Sequence, residues 1–227
     1  MRVSAMHDAH VAQGASFRAN GDWQVPDIYT SPSEEAQRAL AAVGLADTSA
    51  CGKLQLRGAG AFEVVAGLAG TAPIPAGTAA RLSLDGVETL ACRLAPDAWL
   101  VLTTAGDAEL TARILTEASR RAGCAHVTDL TAGLTALYLV GPRAPSLLAR
   151  LVPLDLEPLP PLGVVQGPLA RVPAILVRLD RVAAPGFRAL VAREYGIFVW
   201  EALVHAGHDL GLVPVGAAAR ARLEAGA

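Results

Sequence analysis

The sequence predicts an α+β fold made of two similar halves that share one core. In the first half, an aspartate at Asp47 precedes a strand that ends on a glycine, over residues 54–58, and a helix follows. The same order returns at Asp129 and over residues 137–141. Strands and helices alternate in blocks, and a repeat with two copies and this long a period is not a solenoid. We therefore expect two β-α-β-β-α units related by a pseudo-twofold axis, with largely antiparallel sheets.

The chain begins with a polar segment that is rich in turn residues. We expect residues 1–33 to form an irregular arm, packed on a single domain that residues 34–227 form. Ser33 and the two acids after it are typical of a helix N-terminus, where a side-chain cap and negative charge are both favourable. Alanine and leucine continue this helix to Val43, and Gly44 is predicted to end it.

The rest of the first half alternates strands and helices. Residues 53–57 alternate polar and apolar side chains, which predicts a half-buried strand. Residues 81–84 and 89–94 are expected to pair as a hairpin, because Asp85-Gly86 is a strong hairpin turn signal. The remaining predicted elements of this half are helices over residues 61–68 and 107–121 and a strand over residues 99–103.

The second half repeats this order after residue 124, so we place the halves at about residues 34–124 and 125–227. Its further predicted elements are helices over residues 142–151 and 194–205 and strands over residues 173–179 and 187–192. Residues 153–173 contain several prolines, which cannot donate to a sheet. This segment is therefore expected to be a long irregular connection, and long connections are often functional.

Composition excludes several classes of function. Apolar residues make up 52% of the chain and the net charge is −2, so no basic surface is expected to bind nucleic acid. No apolar run approaches the roughly 20 residues that cross a membrane, and no secretion signal is expected. Three cysteines, scattered and odd in number, do not indicate a disulfide framework. We expect a cytoplasmic protein.

Motifs at both ends are similar to those of one family. The N-terminal motif comprises Trp23, Pro26 and Tyr29, followed by Gly-Leu-Ala-Asp-Thr-Ser at residues 44–49. The C-terminal motif is Gly-Leu-Val-Pro-Val-Gly at residues 211–216, followed by Ala219-Arg220. Both motifs resemble the glycine-cleavage T-protein, or aminomethyltransferase, family. That resemblance implies a folate-binding domain built from two related halves.

The middle of the chain is more similar to the gamma subunit of sarcosine oxidase, a member of the same superfamily. The segments that carry this similarity are Leu-Ala-Pro-Asp-Ala-Trp-Leu at residues 94–100, and residues 127–129, 141–144 and 153–156. Together the two resemblances cover about residues 10–222. T-proteins carry a further C-terminal barrel, whereas gamma subunits lack it. The chain length therefore favours the gamma branch, and we expect a domain without the barrel.

The resemblance implies a set of site residues. A T-protein carboxylate that follows a glycine-containing hairpin turn matches Glu88, which we expect to be catalytic through proton transfer and charge stabilisation. The T-protein glutamate that binds the pterin ring matches Arg188, and an Asn-Ala pair matches Thr103-Thr104. Arginine has five donors and no acceptor, so it cannot bind the pterin ring as that glutamate does. Thr103 and Arg188 are nonetheless our expected ligand-binding positions.

Aromatic and histidine side chains give weaker indications. Tyr29 and Tyr195 could line a pocket for a flat ligand, although such residues more often belong to a core. His205 and His208 are three residues apart on a predicted helix, but no third ligand follows, so no metal site is expected.

Three functions are compatible with these motifs. The first is a tetrahydrofolate-binding one-carbon transfer protein that acts on a folate or amine substrate. The second is a non-catalytic, gamma-like subunit of a heteromeric sarcosine or amine oxidase, with flavoprotein partner subunits. The third is a family member recruited to another one-carbon or demethylation reaction.

Overall fold

The computed structural model describes residues 1–70, 74–180 and 184–225. The strands are β1 (Ser16–Asn20), β2 (Trp23–Ile28), β3 (Val43–Asp47), β4 (Gly52–Arg57), β5 (Ala79–Leu84), β6 (Val87–Ala95), β7 (Ala98–Thr103), β8 (His126–Asp129), β9 (Leu134–Val140), β10 (Val164–Leu169), β11 (Val172–Arg178), β12 (Gly186–Ala192) and β13 (Leu212–Pro214). The helices are α1 (His7–Ala12), α2 (Pro32–Ala41), α3 (Ala61–Ala69), α4 (Ala108–Ala122), α5 (Ala144–Ala149), α6 (Gly196–Gly207) and α7 (Ala217–Ala225). A 3-10 turn over Arg193–Tyr195 leads into α6.

Two large sheets and one hairpin contain these strands. The six-stranded sheet has the order β10-β11-β12-β9-β3-β13, and the five-stranded sheet has the order β5-β6-β7-β4-β8. Strands β1 and β2 form a separate antiparallel hairpin. Neighbouring strands in the two large sheets are antiparallel except β13 and β3, which are parallel. The α+β class with antiparallel pairing is therefore confirmed.

The strand orders confirm the duplication and add a feature that the sequence did not predict. Strands β4 to β7 and strands β9 to β12 occupy equivalent places. Each of these two sets consists of one strand, then a helix (α3 or α5), then three further strands. The strand before each set is exchanged. Strand β3 precedes β4 but pairs with β9, and β8 precedes β9 but pairs with β4. Each sheet is therefore completed by a strand from the other half.

The sheets pack face to face, and helices cover both outer surfaces. Core residues between the sheets include Leu90 and Leu102 from one sheet and Val177 and Leu190 from the other. Helices α5 and α6 cover the outside of the six-stranded sheet, and α3 and α4 cover the outside of the five-stranded sheet. Both sheets are thus buried on two faces. Of the helices in the described ranges, none combines the length and apolarity needed to span a membrane.

Two reciprocal turns hold the exchanged strands in place. Asp47 ends β3 and accepts a hydrogen bond from the Ser49 N–H, and Asp129 ends β8 and accepts one from the Thr131 N–H. The Ser49 and Thr131 hydroxyls each accept from a backbone N–H at the start of the other half's strand. These bonds satisfy buried backbone groups where the chain changes sheets. Both aspartates therefore act as turn residues.

Close backbone contacts explain the glycine at the end of each equivalent strand. Gly58 and Gly141 have φ values of 126° and 133°. A Cβ on Gly58 would lie 2.0 Å from the Cys124 carbonyl oxygen, and one on Gly141 would lie 2.3 Å from the Ala39 oxygen. In both cases the neighbour is the segment that leads into an exchanged strand.

The N-terminal arm is more regular than expected, because it contains α1 and the hairpin of β1 and β2. A buried chain of hydrogen bonds docks it on the domain. The Tyr29 hydroxyl lies 2.8 Å from His10 Nδ1, and His10 Nε2 lies 3.0 Å from an Asp47 carboxylate oxygen. The His10 side chain is fully buried. Burial alone would raise the pKa of Asp47, but hydrogen bonds from His10 and nearby hydroxyl and amide groups hold it below its ordinary value.

Helix α2 also differs from its predicted limits. Ser31, rather than Ser33, is the N-cap, because its hydroxyl accepts from the Glu34 N–H and Pro32 follows at the first helical position. The helix ends at Ala41, and Gly44 lies inside β3, where Cβ contacts of 2.7 Å would leave no space for a side chain.

The proline-rich connection is another correction. Strand β10 lies inside the segment that we expected to be irregular, and Pro168 is part of it. Strand β10 is at the edge of its sheet and pairs with β11 alone, so a missing donor at Pro168 does not interrupt a second ladder.

Alanine at Gly58 or Gly141 should destabilise the fold by about 3 kcal/mol or more, because a strained φ and a backbone clash add together. Gly86→Ala is the matched control, since Gly86 also has a positive φ but no atom near its Cβ position. We expect it to cost about 1 kcal/mol in urea unfolding. Equal costs at all three positions would show that backbone strain alone explains these glycines.

The two aspartates provide a test of how the arm is docked. Asp47→Asn should lower the free energy of unfolding by about 2–3 kcal/mol, because it leaves a buried hydrogen-bond network incomplete. Asp129→Asn alters the equivalent turn without a histidine partner, and Asp129 is exposed, so a loss below about 1 kcal/mol is expected. An equal loss in both variants would exclude a contribution from His10.

The lowered pKa of Asp47 also predicts a pH dependence. A carboxyl whose pKa is lower in the folded state contributes stability above its ordinary pKa of 3.8, and this contribution is lost as the pH falls through the folded value. Wild-type protein should therefore lose more stability than Asp47→Asn between about pH 5 and pH 2. Thermal unfolding across that range measures the difference, and parallel curves would contradict it.

Candidate functional site

A cavity of about 330 Å³ lies at one end of the interface between the two sheets. Its walls come from the turn after β3, from β6 and β7, from β12, from α7 and from the N-terminal hairpin. The site is thus assembled from segments far apart in the chain, including both halves and the arm.

The structure brings three of the five predicted site residues together at this cavity. Glu88 on β6, Thr103 at the end of β7 and Arg188 on β12 all line it. Tyr29 and Tyr195 are not among the lining residues. Tyr29 is linked to the cavity wall through His10 and Asp47, whereas Tyr195 is 43% exposed at the start of α6. A role for these two tyrosines in binding stays a prediction.

A buried lysine supports the turn that forms one wall. Lys53 is fully buried, and its Nζ donates to the carbonyl oxygens of Ser49 at 2.6 Å and Cys51 at 2.9 Å. Leu54 and Leu56 face the outer core, so Lys53 points toward the opposite sheet. Desolvation lowers the pKa of Lys53 below its ordinary value of 10.5. The equivalent position in the other half is Ala136, so this cation is present in one half alone.

Most of the acidic groups at the cavity already have partners. Asp47 is bound by His10, and Glu224 forms an ion pair with Arg220 at 2.7 Å. Glu88 is exposed, at the rim. Its carboxylate can therefore exchange protons with solvent and with a ligand in the cavity.

Arg188 has a different environment. Its Nε is buried and has no hydrogen-bond partner within the described ranges. Its side chain shares the inward face of β12 with Leu190, as expected from strand alternation. The nearby Cys92 thiol is buried, which raises its pKa to about 12, so it is neutral near pH 7. A cation without a balancing charge therefore projects toward the cavity.

A larger groove of about 790 Å³ lies on the surface beside α5. Its charged residues include Arg178 and Asp180, which pair with each other at 3.0 Å. The Arg178 and Asp180 charges are thus already paired, whereas the smaller cavity between the sheets contains Arg188, whose buried Nε has no partner among the described residues. We therefore assign the candidate site to the smaller cavity.

No metal centre is found among residues 1–70, 74–180 and 184–225, where no three His, Cys, Asp or Glu side chains are close enough to share an ion. His205 and His208 lie beside a shallow surface pocket near α1.

Lys53 and His10 are site components that the sequence did not predict. Lys53 occupies a polar position in an alternating strand, which is typical of a solvent-facing residue when a sheet has one buried face. His10 lies in the arm, and its importance depends on a contact with Asp47 across 37 residues of chain. A signal for Lys53 was available in the duplication, since its equivalent in the other half, Ala136, is apolar.

The chain is similar in sequence and in fold to known proteins. Residues 6–227 match the family model described as the GCVT N-terminal domain. The chain is 32% identical to an aminomethyltransferase of Streptomyces coelicolor, over 100% of this chain and 63% of that protein. It is also 32% identical to an aminomethyltransferase of Frankia alni, over 97% of this chain and 62% of that protein. The chain thus spans less than two thirds of the length of these relatives.

Solved structures show the same fold. The aminomethyltransferase T of the glycine cleavage system from Bartonella henselae has a TM-score of 0.87 at 22% identity, over 98% of this chain and 62% of that one. A chain of heterotetrameric sarcosine oxidase from Corynebacterium sp. U-96 has a TM-score of 0.63 at 22% identity, over 82% of this chain and 98% of that one. The sequence match extends over nearly the whole chain, and the duplicated sheets agree with both structures. The chain therefore belongs to the family of the GCVT N-terminal domain, together with the aminomethyltransferases.

Proposed function

We propose that the chain is the ligand-binding domain of a one-carbon transfer protein of the aminomethyltransferase type, with its ligand in the cavity between the two sheets. The observation that supports this proposal is the composition of the cavity. Polar and charged side chains from both halves, among them Glu88, Thr103 and Arg188, line it together with apolar residues such as Leu90 and Leu102. Small-molecule sites are concave, and placed polar groups in them fix the orientation of the ligand.

Glu88 is the proposed acid–base residue of this site. It lies on β6 directly after the Asp85-Gly86 turn, and its carboxylate is at the exposed rim. A carboxylate at the entrance can transfer a proton to or from an amine of the ligand while remaining in contact with water. It can also stabilise positive charge that develops on that amine.

Tetrahydrofolate is the ligand that the family resemblance suggests, but the cavity fits its pterin ring poorly. The donors of that ring need a carboxylate acceptor, and Asp47 and Glu224 already bind other groups. Arg188 occupies the position of the expected acceptor. The proposal therefore covers one-carbon chemistry in this cavity and does not depend on a pterin held in the manner of the T-protein.

A second candidate function is that of a gamma-like subunit in a flavoprotein amine oxidase. The fold of the sarcosine oxidase chain supports it, because that protein is a heterotetramer. A surface groove beside α6 also supports it, since Phe198 is 51% exposed there next to Pro153 and Pro168. Exposed apolar surface of this kind often marks a protein interface. A third function, in another one-carbon or demethylation reaction, would use the same cavity with a different substrate.

We also propose that the protein is cytoplasmic. Cys51, Cys92 and Cys124 are all free, and Cys124 is exposed. Free thiols on a surface are most stable in a reducing compartment.

Filling the cavity should prevent ligand binding. In calorimetric titrations with tetrahydrofolate and 5-formyltetrahydrofolate, Ala105→Trp should weaken binding at least tenfold, which corresponds to about 1.4 kcal/mol. Ala105 lines the cavity, whereas Ala122 is exposed at the end of α4, so Ala122→Trp is the matched control. Binding that is insensitive to Ala105→Trp would place the ligand elsewhere, and no binding by either folate would exclude tetrahydrofolate.

Glu88→Gln separates chemistry from binding. We expect this variant to bind the ligand within about threefold of wild type, because Glu88 is at the rim, and to lose at least 100-fold in turnover if it transfers the proton. An unchanged rate would exclude Glu88 as the acid–base residue. For the second candidate function, co-purification of a flavoprotein that is lost in Phe198→Glu is the corresponding test.

A further inference from the structure

The position of Arg188 defines what kind of ligand the cavity can accept. Arg188 lies in the middle of the six-stranded sheet, on β12, where its neighbours across the strands are Tyr138 and Val177. Its inward direction follows from Leu190, two residues further along the strand, which packs between the sheets. The guanidinium is therefore held by a rigid strand, and its direction does not depend on a loop.

Arg188 is partly buried, and its buried Nε lacks the partner that such a group normally has. Among the residues that the structure describes, no carboxylate forms an ion pair with it and no carbonyl accepts from its Nε. An uncompensated buried charge is costly, so buried arginines are usually paired. A ligand that supplies the missing anion would remove this cost.

The groups around Arg188 do not supply that charge. Cys92, the nearest thiol, is neutral because burial raises its pKa to about 12. Lys53 is a buried cation in the same region, and its charge repels that of Arg188 but is attracted by Asp47 and Asp129. Of the acids that line the cavity, Asp47 and Glu224 are paired and Glu88 is exposed at the rim, so no carboxylate in the interior balances the charge of Arg188.

The geometry favours a carboxylate over other anions. A single guanidinium offers two parallel N–H donors, which match the two oxygens of a carboxylate. A phosphate dianion would need further free donors in the interior, but the Lys53 ammonium is already bound to two carbonyl oxygens and Arg81 is exposed. A neutral pterin presents donors to this position and would leave the arginine unpaired.

We infer that the central cavity binds an organic carboxylate, and that the Arg188 guanidinium binds its anionic group. This inference rests on the proposed function, because it assumes that the cavity is the ligand site. It reverses the polarity that the T-protein resemblance implies at this position, from an acceptor for a pterin to a donor for an anion.

The test divides a folate into its two chemical parts. N-(4-aminobenzoyl)glutamate carries carboxylates without a pterin, and 6-methyltetrahydropterin carries a reduced pterin without a carboxylate. Sarcosine and its amide form a smaller pair, in which both molecules carry the protonated amine and sarcosine alone carries a carboxylate. In calorimetry at pH 7 and low salt, we expect at least one of the two carboxylates to bind. We expect no binding of the reduced pterin or of the amide.

The variants assign that binding to Arg188. Arg188→Met keeps the aliphatic stem and should weaken carboxylate binding at least tenfold. Arg57→Met, which removes an exposed arginine from β4, should leave it unchanged. Arg188→Met should also raise Tm in the absence of ligand, because it removes a partly buried charge whose Nε has no partner among the described residues. A structural role for Arg188 would lower Tm instead.

Each other outcome contradicts the inference in a distinct way. Binding of the reduced pterin, with no binding of either carboxylate, would exclude the Arg188 site while leaving the proposed function intact. Equal competition by inorganic phosphate would exclude selectivity for a carboxylate. If no probe binds in a manner that Ala105→Trp prevents, both the inference and the proposed function are wrong. A fall in Tm for Arg188→Met would show that the arginine stabilises the fold.

Discussion

The exchange of one strand between the halves is the constraint on which the rest of this structure depends. Strand β3 completes the second half's sheet, and β8 completes the first half's sheet. The turns after these strands, at Asp47 and Asp129, hydrogen-bond to backbone groups across the exchange. These turns hold the sheets face to face and leave a gap at one end, which the N-terminal hairpin and α7 border. The candidate site is therefore a product of the crossover itself.

The strand exchange buries several charged side chains at the edge of this cavity and determines which of them are paired. At the turn after β3, His10 reaches Asp47 from the arm, and Lys53 binds the carbonyl oxygens of the turn. These bonds occupy acceptors in this region, and the Nε of Arg188 on the facing sheet has no hydrogen-bond partner among the described residues. The ligand preference that we propose for this protein thus differs from the one that its family membership suggests. The fold is that of the aminomethyltransferases, whereas we propose that Arg188 in its interior binds a carboxylate and not a pterin.

Much of the fold could be predicted from local patterns, but side-chain direction could not. The Asp85-Gly86 hairpin was predictable because its turn requires two positive φ values, and both residues have them. Strand β10 was not, since a proline is tolerated at a sheet edge and the sequence does not show which strands are edges. Similarly, the alternation around Lys53 identified a strand without showing that both of its faces are covered. Glu88, Thr103 and Arg188 could be assigned to one site because the family resemblance pointed to those positions. His10 could not be assigned in this way, because its role depends on a contact with Asp47 from a distant segment of the chain.

The exchanged strands also bear on how two such halves can diverge. In an assembly of two identical half-chains, any change at one turn would occur at both, so a lysine at Lys53 would be duplicated at the place of Ala136. Two buried ammonium groups would then face one interior. Joining the halves in one chain removes that symmetry requirement, so a charge can be installed on one side while its counterpart stays apolar. The asymmetry of the interior is thus a freedom that covalent fusion provides, and an interlocked symmetric dimer of half-chains could not have it.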